Sequence, residues 1–492
     1  MPSHNTQPNY PITRQDSHHS GNSSHYLGSV LECDILIIGA GAAGLAAAAA
    51  VQNQGRRVIL VEKEDHVGGT TFRSGGCMWM PNNFPVGKAT SPVTDRDIVL
   101  GDLQSKRLEA FLTQGPEMDM EIPMSMGQSL IAQLLKICKE HNNVTIWTRC
   151  ELQELLVSDL SGRVIGAKVL CRHSERPVHI HASLGVVLTT GGFSQNQKMR
   201  DTYLGIGSTD GRASKISTAG WSLAAPGDLG IALLVSQVLD ADSAQLDQVW
   251  GIPTMINPGT GKVTEAMFAI SKPFSFVVDG HGRRFFSESE PYGAAVRSMY
   301  ERAKKSSRSA EFWLVFDDRY MQTYPIGELH SPWSIDQAVE KGLLVRSDTV
   351  GGLSKQILVP PQNLQATLDE WNGMCDDGRD KHFRRGEDRY QQFIGDPDVT
   401  PNPCMGPVKE SPFYAIRIFP GDAGTRGGLL TDEFARVLRK NGDVIQGLFA
   451  GGNASAALLG SQGAGTTLAP AMTEGFIAVT YMLSLTGTVS SS

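Results

Sequence analysis

No stretch of this chain reaches the roughly 18 continuous apolar residues that a membrane-crossing helix needs, so no membrane span is expected. Neither sign of charge dominates. The 44 Lys and Arg against 51 Asp and Glu leave a net −7 with no basic block, which argues against a nucleic-acid surface. The seven cysteines (Cys33, Cys77, Cys138, Cys150, Cys171, Cys375 and Cys404) are odd in number and scattered, with no C-x-x-C pair. That argues against zinc or any other metal centre and against a disulfide framework, and it favours a reducing compartment. Residues 1–30, rich in Ser, His, Asn, Gln and Pro, carry no apolar run and read as a disordered tail, not a signal peptide. A cytoplasmic location is therefore expected. No internal repeat is visible.

The chain does contain Asp34-Ile-Leu-Ile-Ile-Gly39-Ala-Gly41-Ala-Ala-Gly44, followed by Val58-Ile-Leu-Val-Glu62. An apolar run of strand character enters three glycines spaced G-x-G-x-x-G. An alanine-rich helical segment follows, then a second strand ends in an acid about 20 residues on. Each part has a physical task. Gly39 allows a tight turn, Gly41 lets a pyrophosphate approach the backbone, and Gly44 lets helix and strand pack closely. The helix N-terminus faces the phosphates, and Glu62 can accept hydrogen bonds from ribose hydroxyls. In this βαβ context the pattern predicts dinucleotide binding.

Further along, residues 92–112 read as a surface helix and Ser129 to Glu140 as an amphipathic one. Val144-Thr-Ile-Trp, Leu155-Leu-Val and Arg163-Val-Ile-Gly-Ala-Lys-Val-Leu look like short strands, the last two joined by a turn at Ser161-Gly162. Leu184 to Thr190 is a buried strand ending in Gly191-Gly192. Between about Gly251 and Pro412 the texture changes to Pro-rich joints, aromatics and a hairpin signal at Val277-Val-Asp-Gly280-His-Gly282-Arg. Apolar strands and glycine turns return at Gly442 to Asn453, and Gly463-Ala-Gly-Thr-Thr-Leu opens a helix. The order implies an α/β protein, with a Rossmann-like domain built from both chain ends (31–252 and 416–492) and an inserted α+β substrate or cap domain (253–415).

Glycine pairs after apolar strands recur at Gly68-Gly69, Gly75-Gly76, Gly191-Gly192 and Gly451-Gly452, with a related turn at Gly227-Asp228-Leu-Gly230. An extended FAD needs such close backbone approaches along its pyrophosphate, ribityl and isoalloxazine sections. A single G-x-G-x-x-G leaves no second nicotinamide site in view, so the electron partners are expected to be the substrate and an external acceptor. No histidine motif for covalent attachment is visible, and non-covalent FAD is expected.

Several longer motifs carry a family resemblance: Gly68-Gly-Thr-Thr-Phe-Arg-Ser-Gly-Gly-Cys77, Thr190-Gly-Gly-Phe-Ser-Gln-Asn196, Arg283-Arg-Phe-Phe-Ser-Glu-Ser-Glu-Pro-Tyr292, Pro420-Gly-Asp-Ala-Gly-Thr-Arg-Gly-Gly428 and Gly452-Asn453-Ala-Ser-Ala. From about Cys33 to Met482 the chain resembles the fumarate reductase flavoprotein superfamily, and within it the 3-ketosteroid Δ1-dehydrogenases. The resemblance implies desaturation beside the ketone of a polycyclic substrate. Tyr292 matches the family's base, and Gly465 matches the glycine whose N–H polarises the carbonyl. Where the family's second carbonyl donor, a tyrosine, would stand, this chain has Ser461-Gln462. Either Ser461 or Gln462 replaces it, or the ketone is held differently. A second family tyrosine, in the segment after Met118, has no counterpart.

The residues expected at the cofactor are Gly39, Gly41, Ala42, Ala43, Gly44, Glu62 and Lys63 from the fingerprint, and Gly69, Thr70, Thr71, Ser74, Gly75 and Gly76 from the following loop. Leu152, Thr190, Gly191, Asp228, Gly452, Asn453, Thr467 and Leu468 complete the set. A free phenol near pKa 10 is a poor base, so the site must stabilise phenolate or relay its proton. Arg283, Arg284 and Arg426 are candidates for the first task. Two alternatives stand beside this reading: a flavin-dependent enone or fumarate-type reductase, and an FAD-binding protein without steroid activity.

Overall fold

The structure, a computed structural model, describes residues 30–51, 54–78, 126–140, 142–172, 176–204, 217–305, 311–329, 331–458 and 465–486. The segment 92–112 therefore lies outside the described residues. Apolar residues of the opening run form the central strand β1 (Val30–Ile38), in which Ile35, Leu36 and Ile37 are fully buried. Burial on both faces is what a parallel strand covered by helices and strands requires. Parallel partners flank it: β2 (Val58–Val61) and then β3 (Val144–Trp147) on one side, β6 (Val178–Leu188) on the other. The hairpin of β4 (Cys150–Val157) and β5 (Val164–Cys171) adds antiparallel to β6. It turns at Gly162, which adopts φ +65°.

The chain end returns to this sheet. Strands β15 (Arg436–Leu438) and β16 (Val444–Ala450) complete it, with β16 parallel to β6. Side chains of β1 alternate between two cores. Ile35 and Ile37 meet the helices α1 (Ala42–Ala50), Met126–Lys139 and Leu468–Ser484, while Leu36 and Ile38 meet the β4–β5 hairpin. A small ribbon of β7 (Ser243–Ala244) and β14 (Gly428–Leu429) lies apart.

A second, wholly antiparallel sheet contains β8 (Val249–Ile256), β9 (Val263–Glu265), β10 (Ser275–Asp279), β11 (Phe312–Phe316), β12 (Val345–Ser347) and β13 (Phe413–Thr425). It too is covered on both sides. Val277 enters one core with Leu314 and Ile416, and Phe276 and Val278 enter another with Val315 and Trp371. The long β13 pairs first with β11 and then with β8, so one continuous strand holds both parts of this sheet together.

The hairpin signal after Val278 is corrected. Gly282 N–H closes a turn on Asp279 O at 2.9 Å, but the segment after it does not return as a strand. Arg284 and Glu288 tie that segment into a buried ionic cluster instead, and β10's partner is the distant β11. The cysteine reading is corrected as well. Cys150 and Cys171 form a disulfide across β4 and β5. Their pairing follows from strand register, which sets them opposite each other and which spacing along the chain does not reveal.

Candidate active site

The three glycines at the end of β1 differ in what surrounds them. Gly39 has φ +107°, donates its N–H to Val61 O at 2.7 Å, and leaves no room for a Cβ against Thr189 O. At Gly44 a Cβ would enter the space of Gly39 O, so helix and turn touch there. Gly41 has φ −76°, and a Cβ on it would meet protein only at Gly68 O, 3.9 Å away. The space beyond Gly41 is a trough of about 1110 Å³, counted with its open mouth.

The trough gathers most of the residues expected at a dinucleotide. Gly39, Gly41, Ala42 and Ala43 line one end together with Glu62 and Lys63. Gly69, Thr70, Thr71 and Ser74 follow from α2 (Gly69–Arg73) and its C-cap. Leu152, Thr190, Gly191 and Asp228 form further wall, and Gly452, Asn453, Thr467 and Leu468 close the far side. Gly44, Gly75 and Gly76 do not line it. Gly44 sits behind the turn, and Gly76 donates its N–H to Ser74 Oγ at 3.1 Å. Gly465 does not line it either; with φ +81°, it stands two residues before Thr467. Ser461 and Gln462 lie outside the described residues.

Glu62 is buried and held from two sides. Ala40 N–H donates to Oε2 at 2.8 Å and Glu64 N–H donates to Oε1 at 3.0 Å. Each carboxylate oxygen keeps lone pairs for a ribose hydroxyl. Thr190 Oγ1 is buried with no partner among the described residues, a polar group free to meet a ligand. Asp228 Oδ2 accepts from Thr70 Oγ1 at 3.2 Å, and Thr70 Oγ1 accepts from Ala225 N–H at 2.8 Å. Burial pushes Asp228 up to about 7, against the Thr70 hydrogen bond. Glu474, which accepts from Gly452 N–H at 2.6 Å and Ser455 Oγ at 3.0 Å, is likewise pushed to about 7 by burial. The open backbone at Gly41, the N-terminus of α1, the oriented Glu62 and the orphaned Thr190 hydroxyl together fit an extended dinucleotide.

Tyr292 begins the helix Tyr292–Lys305, on a separate small cavity of about 250 Å³, counted with its open mouth. Met267, Phe268 and Ile270 give that cavity an apolar wall, and Glu288, Glu290 and Tyr390 face them. The loop before Tyr292 is anchored by Glu288, which is fully tied. Its Oε1 accepts from Val277 N–H and Arg284 Nε, both at 2.9 Å, and its Oε2 from Arg284 Nη2 at 2.8 Å and Arg385 Nη1 at 3.1 Å. Arg284 also pairs with Asp380 at 2.8 Å and lies 4.5 Å from the Trp371 ring centroid.

Burial pushes the Tyr292 phenol above its ordinary value, and the nearby Tyr390 phenol and Cys77 thiol add to the effect. Cys77 directly follows Gly75-Gly76. The three arginines considered as phenolate partners do not act on it: Arg283 is exposed, Arg284 is committed to Glu288 and Asp380, and Arg426 lies over the Trp250 ring at 4.8 Å. Tyr390, Glu290 and Cys77 were not anticipated as neighbours of Tyr292. Glu290 carries a visible signal, since it stands two residues before Tyr292 in the same motif, whereas Tyr390 carries none. Among the described residues no cluster of three or more His, Cys, Asp or Glu gathers to hold a metal, and no helix is long and apolar enough to cross a membrane.

Comparison with known proteins agrees with this geometry. The chain is 29% identical to a 3-oxosteroid 1-dehydrogenase of Mycobacterium tuberculosis, over 93% of this chain and 100% of the relative. It is 28% identical to a 4-oxocyclohexanecarboxylate 2-dehydrogenase of Sinomonas cyclohexanicum, over 90% and 92% of the two chains. A crystal structure of the 3-ketosteroid Δ1-dehydrogenase from Sterolibacterium denitrificans, in complex with 1,4-androstadiene-3,17-dione, superposes with a TM-score of 0.78 at 27% identity, covering 92% of this chain and 100% of that one. Residues 34–122 and 112–468 match the family described as FAD binding domain; the chain belongs to that family and is an FAD-dependent oxidoreductase.

Proposed function

We propose that the protein desaturates a ring ketone, removing two hydrogens from adjacent carbons beside the carbonyl of a 3-keto steroid-like or triterpenoid substrate. The observation that carries this reading is a trough whose open backbone at Gly41, oriented Glu62 and orphaned Thr190 fit an extended dinucleotide, beside a buried tyrosine, Tyr292, that lines an apolar cavity with Met267, Phe268 and Ile270. The names of the relatives support it, since both act on ring ketones.

A carbonyl acidifies the neighbouring C–H, and Tyr292 takes that proton. The Gly465 N–H polarises the carbonyl oxygen, assisted by Ser461 or Gln462, so that charge developing on oxygen meets a fixed donor. Phe268, Met267 and Ile270 give the apolar wall on which the ring system rests and which keeps water from the reacting carbon. FAD, when bound, supplies the hydride acceptor for the second hydrogen. Gly41 and the N-terminus of α1 would hold its pyrophosphate, Glu62 its ribose, and Thr190, Asp228 and Asn453 its remaining polar groups. An external acceptor returns the cofactor to its oxidised form. The same proposal divides the chain into a dinucleotide domain of residues 31–252 and 416–492 and a substrate domain of residues 253–415.

The test is anaerobic mixing of the FAD-loaded protein with a panel of 3-ketosteroids and triterpenoid ketones, followed by the flavin's visible absorbance. Bleaching with a ketone, and recovery with an artificial acceptor, is the expected result. A protein that stays yellow with every ketone refutes the proposal.

A further inference from the structure

The cavity at Tyr292 poses a problem of proton disposal. The phenol is raised by burial, and among the described residues no guanidinium offsets that, which disfavours a standing phenolate there. A neutral phenol can still take a carbon-bound proton if it gives up its own in the same event. That requires an acceptor on the same cavity with spare lone pairs.

Two carboxylates line the cavity, and they differ sharply. Glu288 is consumed by Val277 N–H, Arg284 and Arg385. Glu290 is half-buried and, among the described residues, receives one hydrogen bond, from Ser298 Oγ to Oε1 at 3.3 Å, and forms no ion pair within 4.0 Å. The remaining polar group is the Tyr390 phenol, pushed up to about 12 by burial and so no proton sink near neutrality.

Resting on the desaturation reading above, we propose that Glu290 is the proton acceptor behind Tyr292. As the Tyr292 oxygen takes the proton from the carbon beside the ketone, its own hydroxyl proton passes to the Glu290 carboxylate, directly or through one water. The C–H electron pair stays on the substrate as the enolate. Tyr292 is neutral before and after, Glu290 goes from −1 to neutral, and it then releases the proton to solvent at the cavity mouth. Glu290 is a positioning and relay residue, not a group that touches the substrate.

The pH behaviour of the free group fits this task. Burial pushes Glu290 up to about 7, with Glu288 adding to the rise and Ser298 and Arg297 opposing it. The other groups facing it do not titrate in that range: Glu288 is held below the usual carboxylate values once Arg284 and Arg385 outweigh its burial, Arg297 is a guanidinium, and Tyr292, Tyr390 and Cys77 are all raised. Helix Met267–Ser271 contributes only apolar side chains to this cavity.

The experiment measures the anaerobic rate of flavin bleaching against pH for wild type, Glu290→Gln, Glu290→Asp and Tyr390→Phe, each checked for full FAD loading. With a 3-ketosteroid that reduces the wild type, the rate is expected to rise with pH and level off above about 7. E290Q should lose that limb and at least about 100-fold in rate on the plateau, in the range of a lost acid–base group. E290D should restore the limb. An E290Q variant with the wild-type rate and limb overturns the relay while leaving desaturation intact, as does a limb removed by Y390F but kept in E290Q. A wild type that no ketone reduces overturns the desaturation reading, and the relay falls with it.

Discussion

Replacing Gly41 by Ala separates the needs of the fold from the needs of the cofactor. A Cβ at this position meets protein only at 3.9 Å and the backbone φ of −76° suits any residue, so the apo-protein has room for the methyl. The fold loses only the preference for Gly over Ala at a helix N-cap, about 1 kcal/mol or less. On the proposed placement of the pyrophosphate at this turn, the methyl stands in its way in the loaded protein, and forcing a methyl into a close-packed contact costs about 1–3 kcal/mol. At 1.4 kcal/mol per decade, FAD affinity should fall by about 5- to 150-fold. Titrating apo-protein with FAD and following flavin fluorescence gives the Kd, and melting of the apo-form gives the fold's share. The paired control is Gly44→Ala, whose methyl would overlap Gly39 O and should destabilise the apo-protein itself. A G41A variant with wild-type Kd refutes the placement of the pyrophosphate at this turn.

Tyr292→Phe should keep bound flavin and lose about 100- to 10,000-fold in the rate of ketone-dependent bleaching; unchanged bleaching removes Tyr292 from the mechanism. Glu62→Ala should weaken FAD retention by about 10-fold or more, the scale of one lost hydrogen bond to a charged group, read as flavin lost on gel filtration. Full loading of that variant would count against the ribose role. Asp228 and Glu474 are both raised by burial, from ordinary values of 3.8 and 4.5 to about 7. The folded protein therefore holds two protons that the unfolded chain releases, and apo-protein stability should decline as pH rises from about 4 to about 7. Asp228→Asn should flatten part of that decline in the apo melting temperature, and an identical pH profile in the variant would reject the assignment.

The parts of the molecule legible in the sequence were those encoded locally. The run from Asp34 to Gly44 announces strand, turn and helix within a few residues, and Val58 to Glu62 completes the unit before any distant contact is needed. The trough then collects Gly191, Asp228 and Asn453 because each sits at the end of a strand or in a turn that the glycine pattern marks. What stayed hidden depended on register and on long-range packing. Cys150 meets Cys171 only once β4 and β5 are aligned, and β10 finds its partner beyond an intervening helix. Glu288 and Glu290 sit in one short motif with the same chemistry. Two arginines, one of them almost 100 residues away (288 against 385), decide which of the two is structural. Tyr390 reaches Tyr292 from a short helix that carries no motif.

Strand β13 has a mechanical consequence. Its early residues hydrogen-bond to β11, its later ones to β8, and its Asp422 is clamped by Arg200 and Ser222 just before Ala423 reaches the trough. The sheet that carries β8 and β11 is thus joined to the wall of the trough by one hydrogen-bonded strand. On the proposed function, any separation of these two regions to admit a ring system would have to bend or slide that strand.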